Sequence, residues 1–112
     1  MIEEFQRKTI YDSVRREGWS ITEIEKFETD WWASEMWQLE STWSPVGKIA
    51  FITFMSDPQD ITVKVAWEAR ASLHRPESRT RWDFDFCRMS MKNRWQGELP
   101  KFIECLAKLR NQ

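Results

Sequence analysis

From Trp37 through the predicted strands the apolar residues of this chain recur at every second position, and four of its eight tryptophans ride on that period. Trp37, Leu39, Ser41 and Trp43 alternate with Gln38, Glu40 and Thr42, as in a strand with one face buried, so a first strand is predicted over about Ala33 to Trp43. Lys48 to Ser56 is apolar on both faces, with Ala50, Ile52 and Phe54 on one and Ile49, Phe51 and Met55 on the other, which marks an interior strand. Ile61, Val63, Val65, Trp67, Ala69, Ala71 and Leu73 give the cleanest alternation and a third strand. Trp82, Phe84 and Phe86 open a fourth. There the apolar phase slips by one residue to Cys87, Met89 and Met91, as a β-bulge near Phe86 and Cys87 would make it.

The turns between these runs have matching chemistry. Ser44-Pro-Val-Gly47 carries proline at the second position and glycine at the fourth, as a type I turn prefers, and Asp57-Pro-Gln-Asp60 closes the next hairpin. If Leu73 faces Trp82, then Ala71 faces Phe84 and Arg70 faces Asp85; beyond the bulge Trp67 meets Met89, Val65 meets Met91 and Glu68 meets Arg88. Opposite charges then lie opposite each other on both sides of the bulge, which favours this register.

Before Trp37 the period is helical. Ile2, Phe5, Ile10 and Val14 form an apolar stripe over Ile2 to Glu17, with Gly18 where a C-terminal cap falls. Ser20-Ile-Thr-Glu23 reads as a capping box, and Ile21, Ile24, Phe27 and Trp31 continue at helical spacing, predicting a short second helix. After Gly97-Glu98-Leu-Pro100, the residues Leu99, Phe102, Ile103, Leu106 and Leu109 form the stripe of a final helix, with Lys108 and Arg110 at its negative dipole end. The expected fold is α+β, a single domain over 1–112. It has a four-stranded antiparallel meander, an N-terminal helix with a short second helix, and a C-terminal helix.

Composition narrows the functional classes. Residues 1–56 carry six Lys/Arg against ten Asp/Glu and residues 57–112 eleven against eight, so the halves are −4 and +3 within a net charge of −1. That suits two halves packing on each other and lacks the basic excess of a nucleic-acid binder. The start is acidic without an apolar signal core, and no apolar run approaches the ~20 residues of a membrane span, so a cytoplasmic location without membrane contact is expected. In that reducing setting Cys87 and Cys105 are read as buried free thiols.

Several groupings admit chemistry, each with a plainer reading beside it. Trp37, Trp43, Trp67 and Trp82 share phase with aliphatic neighbours and are assigned to the core; Trp31 and Trp32, adjacent in an extended chain, cannot both point inward. Gly18-Trp-Ser-Ile-Thr-Glu-Ile24 within residues 14–27 has the spacing of a helix-turn-helix. DNA binding there is disfavoured by Glu23, Glu25 and Glu28. Arg75, Arg79 and Arg81, with His74, make a candidate anion site, against the plain reading of a solvated loop. Asp83 and Asp85 are better explained as partners of Arg70 than as an acid/base pair, and a lone histidine makes no metal site. No motif points to a cofactor, a metal or a catalytic residue.

The sheet face turned away from the C-terminal helix offers more. Ile49, Phe51 and Met55, bordered by Lys64, Glu68 and Arg70, give an apolar centre with a charged rim. The expectation is a non-enzymatic binding or assembly module that uses this face for a protein partner or a homodimer, provided the N-terminal helices do not cover it. The alternative is a small-ligand binder or enzyme with a pocket between helix and sheet, an anion being fixed by the arginines of 74–81. Trp43-Ser-Pro-Val-Gly47, followed by Phe51-Ile-Thr-Phe-Met-Ser-Asp-Pro-Gln59, resembles a pattern of small bacterial proteins of uncharacterised function. That resemblance implies a bacterial source and no activity, and it carries over no site residue.

Overall fold

The computed structural model describes residues 4–27, 32–57 and 66–112. Helix α1 (Glu4–Arg16) leads into five antiparallel strands: β1 (Trp19–Lys26), β2 (Ala33–Ser41), β3 (Ile49–Ser56), β4 (Ala66–Ser72) and β5 (Cys87–Ser90). Helix α2 (Trp95–Leu109) ends the fold. The strands lie in chain order, so the sheet is a meander with β3 at its centre, the place its two-sided apolar sequence predicts. Both helices pack on one face. The row Ile24, Trp37, Ile52, Ala71 and Cys87 runs across all five strands on that face. Ile10 and Val14 of α1 and Leu99, Phe102, Leu106 and Leu109 of α2 close over it, and Tyr11 meets Trp37 edge-on at 5.9 Å. Among the described residues no helix is long and apolar enough to cross a membrane.

The α+β class and the flanking helices agree with the sequence, but the sheet has five strands where four are predicted. The segment read as a second helix is β1. Its strand is broken by a bulge between Ile21 and Glu23, so Ile21 lies opposite Leu39 and Ile24 opposite Trp37, both on the helix-bearing face. A three-residue spacing on a bulged strand therefore imitates a helical stripe. The helix-turn-helix geometry over 14–27 is not formed for the same reason. Gly18 does end α1, at φ +105, with its N–H on the Arg15 carbonyl at 3.1 Å.

The β4–β5 pairing also departs from expectation. Ala71 lies opposite Cys87, Arg70 opposite Arg88, Ala69 opposite Met89 and Glu68 opposite Ser90, two residues away from the predicted register and without a bulge at Cys87. Residues 73–86 leave the sheet and form no ladder. The 42–48 loop is closed by Gly47 N–H on the Ser41 carbonyl and Ser41 N–H on that of Lys48, each at 2.9 Å, and its Ser44–Pro45 peptide is cis, unlike the type I turn expected. The 57–60 turn, the start of the third predicted strand and Trp31 lie largely or wholly outside the described residues.

Cys87 and Cys105 are not free thiols: they form a disulfide that fastens α2 to β5. The free-thiol reading followed from an expected reducing compartment, and the bond runs against that expectation. Of the four tryptophans assigned to the core, Trp37 is fully buried, whereas Trp43 is 52% and Trp67 38% exposed. Trp67 is the extra residue of the bulge where Ser56 pairs with Ala66 and Met55 with Glu68, which turns it outward. Trp43 lies past the end of β2, its ring 3.7 Å below the guanidinium of Arg110, which is itself 2% exposed and donates to the Glu17 carbonyl at 3.0 Å. Trp82 is half-buried in 73–86.

Candidate functional site: the outer sheet face and its strap

The face away from the helices is built from three rows. Glu23, Gln38, Phe51 and Ser72 form one; Glu25, Met36, Thr53, Arg70 and Arg88 the next; Ala33, Met55, Glu68 and Ser90 the third. Period-two alternation sends these residues to one side once their neighbours are taken by the core. The middle row carries the chemistry.

Residues 73–86 cross this face as a strap, and its tethers fall along or beside the middle row. Arg75 pairs with Glu25 at 2.6 Å at the β1 end. Arg79 donates from Nη2 to the carbonyl of Trp32, just before β2, at 3.3 Å. Toward the other end, the guanidinium carbon of Arg70 stands 4.9 Å from the centre of Trp82 and 4.6 Å from that of Phe86, a doubled cation–π contact. Arg88 stacks on the same Phe86 at 5.7 Å. Trp82 in turn packs on Phe84 and Phe86 at 5.2 and 4.8 Å, and His74 meets Phe84 edge-on at 5.4 Å. Glu68 is the carboxylate between the two sheet arginines, bonded to Arg70 and 3.5 Å from Arg88.

The interaction face expected from sequence is therefore assembled but largely covered. Ile49 and Phe51 stay half-buried, while Met55 is fully buried and Glu68 nearly so, and Arg70 is held by Glu68 and two rings instead of by Asp83 or Asp85, both of which point to solvent. Met55 and Glu68 cannot form an open patch in this arrangement, because the covered middle row adjoins theirs. Lys64 lies outside the described residues. The three candidate anion-binding arginines do not act as one cluster: Arg75 is spent on Glu25, Arg79 turns under the strap, and Arg81 is exposed. Burial, and then the charge of Arg70, pull the pKa of Arg79 below the ordinary guanidinium value.

Two features of this face were not found from sequence. One is a cleft of about 450 Å³ at the β1–β2 side, lined by Phe27, Trp32, Met36, Arg75, Pro76 and Glu77. The other is a set of buried donors without partners: Thr53 Oγ1, Trp82 Nε1 and Arg79 Nη1. On the opposite face Glu35, 1% exposed, accepts from Arg7 at 2.8 Å and from the Trp37 indole at 2.7 Å, joining α1 to β2. This arrangement raises the pKa of Arg7, chiefly through the hydrogen bond. All polar atoms of Glu35 are engaged within the fold, which makes it a strut.

Among the described residues no group of three or more His, Cys, Asp or Glu side chains is placed to hold a metal ion. Comparison of the chain with protein-family models, with curated proteins and with solved structures returns no significant match. The class that the fold defines is an α+β domain with a five-stranded meander, helices on one face and a strap on the other.

Proposed function

We propose that the protein is a non-catalytic binding module whose partner is another protein, docked on the strap-bearing face of the sheet. The observation that carries this reading is the cleft: a Phe27, Trp32 and Met36 lining with Arg75 and Glu77 beside it has the residue types that protein interfaces favour at their centre and rim. Its volume also falls in the range of sites that take a side chain or a small molecule. A photo-crosslinking residue at Glu77, with one at the exposed Lys101 of α2 as control, tests the reading. A discrete protein adduct at 77 that disappears with Trp32→Ala supports it; equal labelling at 77 and 101 refutes it. Self-association is read separately by light scattering over a concentration series, with Phe51→Glu as the variant expected to abolish any dimer while remaining folded.

A second reading, a small amphipathic anion held in the same cleft, is favoured by Arg75 on its wall, the anion taking the place of Glu25 on that guanidinium. Quenching of tryptophan fluorescence by an aromatic carboxylate, lost in Arg75→Met, distinguishes it from protein docking.

A further inference from the structure

We propose that residues 73–86 are a displaceable cover, and that the partner which replaces it is an extended segment with aromatic residues at alternate positions and acidic residues between them. This rests on the reading of the outer face as the docking surface, the partner taking the place of Arg75, Pro76 and Glu77 against the Phe27, Trp32 and Met36 wall of the cleft. The cover shows what the face accepts. Trp82, Phe84 and Phe86 are half-buried and Asp83 and Asp85 exposed, the pattern of a strand, yet the segment makes no ladder with the sheet. Its rings are held instead by Arg70 and Arg88. Two arginines against the single carboxylate of Glu68 leave that part of the sheet net positive, which favours a segment of net negative charge at longer range even though, as with Asp83 and Asp85, its carboxylates face solvent.

Three observations say that the cover can leave. It is fourteen residues long without helix or strand, a length that in compact domains belongs to lids and binding loops. Among the described residues its tethers to the sheet are few: Arg75 on Glu25, Arg79 on the Trp32 carbonyl, and Arg70 against the Trp82 and Phe86 rings and on the Arg79 carbonyl at 3.4 Å, those at Arg75 and Arg79 being partly solvent-exposed. Closure also strands Thr53 Oγ1, Trp82 Nε1 and Arg79 Nη1 without acceptors, a penalty that opening relieves by giving them water. A partner segment that reaches the same rings' positions while also bonding Thr53 Oγ1 on β3 has an advantage over the cover.

The test uses the whole chain and a labelled peptide of its own sequence from Thr80 to Phe86, capped at both ends. Trp82→Ser/Phe86→Ser weakens the cover without touching the sheet. The peptide is expected to bind this variant at least about ten-fold more tightly than wild type, since three cation–π contacts no longer compete. A peptide with lysine in place of both aspartates is expected to bind weakly to either. Equal peptide affinity for the folded variant and wild type overturns the proposal. Should the variant fail to fold, hydrogen exchange of the Trp82 indole in wild type decides. Exchange independent of denaturant, and faster than global unfolding, supports a cover that opens; exchange only through global unfolding overturns it. If crosslinking at position 77 succeeds while the peptide fails, the docking reading stands and the cover alone falls.

Discussion

Reducing the Cys87–Cys105 bond is expected to destabilise this fold without altering any side chain other than the two cysteines. The bond closes a loop with a sequence separation of 18 that contains the whole β5-to-α2 connection and most of α2. Chain-entropy arithmetic for a loop of that size gives about 3 kcal/mol of stabilisation, acting through the unfolded chain. For a domain of 112 residues this corresponds to a fall in Tm of roughly 10–15 °C. Reduction is a cleaner perturbation than substitution, because the two thiols still fill the space between β5 and α2. Thermal unfolding followed by circular dichroism, with and without a phosphine reductant, measures the difference. A second scan on Cys87→Ala/Cys105→Ala should lie at or below the reduced value, since removing the buried sulfur of Cys87 leaves a small void. Oxidised and reduced protein melting within ~3 °C of each other would refute the reasoning, and would mean that α2 stays docked through its apolar stripe without help from the bond.

Three further outcomes follow from the packing. Glu35→Gln keeps an acceptor for the Trp37 indole but leaves Arg7 without its buried counter-charge, so urea denaturation should show a loss of about 2–3 kcal/mol; a loss within experimental error would show that the strut is idle. Because the pKa of Arg7 is raised, the stability it contributes is fully present below its unfolded-state value and is lost only as pH climbs through the folded one. The difference in unfolding free energy between wild type and Arg7→Met should thus stay flat from about pH 7 to about pH 10, and a slope there counts against the pairing. Gly18→Ala places a Cβ 1.9 Å from Trp43 Nε1 at a φ of +105, so Trp43 must leave Arg110; a loss of ~2 kcal/mol or more is expected, and an unchanged Tm contradicts the clamp.

The parts of the fold legible in sequence are those where one face is buried and the strand is regular. The alternations of β2 and β4 and the two-sided run of β3 identify three strands, because a period of two maps directly onto core and solvent once a helix layer covers one side. The failures share a cause, which is that the same residue spacing arises from different backbones. In β1 the bulge at Thr22 puts Ile21 and Ile24 on one face, and Ser20 and Glu23 then complete a capping box that no helix uses. The disulfide was hidden for another reason: two cysteines on different elements pair only if those elements pack face to face, and that contact is tertiary.

The outer face shows how a correct periodicity leads to a wrong register. Trp82, Phe84 and Phe86 do alternate with exposed aspartates, but the force that orders them is the guanidinium of Arg70 and not a hydrogen-bonded neighbour strand. The charges of Arg70 and Asp85 would match across a ladder there, but Arg70 is satisfied within β4 by Glu68 and by the faces of two rings. One signal was available. An arginine flanked by alanines in the middle of a strand, with a carboxylate two residues before it on the same face, reads as an internally paired group whose planar cation is free to stack. Glu35 could have been found the same way, as an acidic residue in the buried phase of Trp37 and Leu39, which demands a cation from another element. Arg7 supplies that cation from α1, and the demand fixes which face of the sheet the helix must cover. The arginine row is left on the other side, where, among the described residues, 73–86 lie across it.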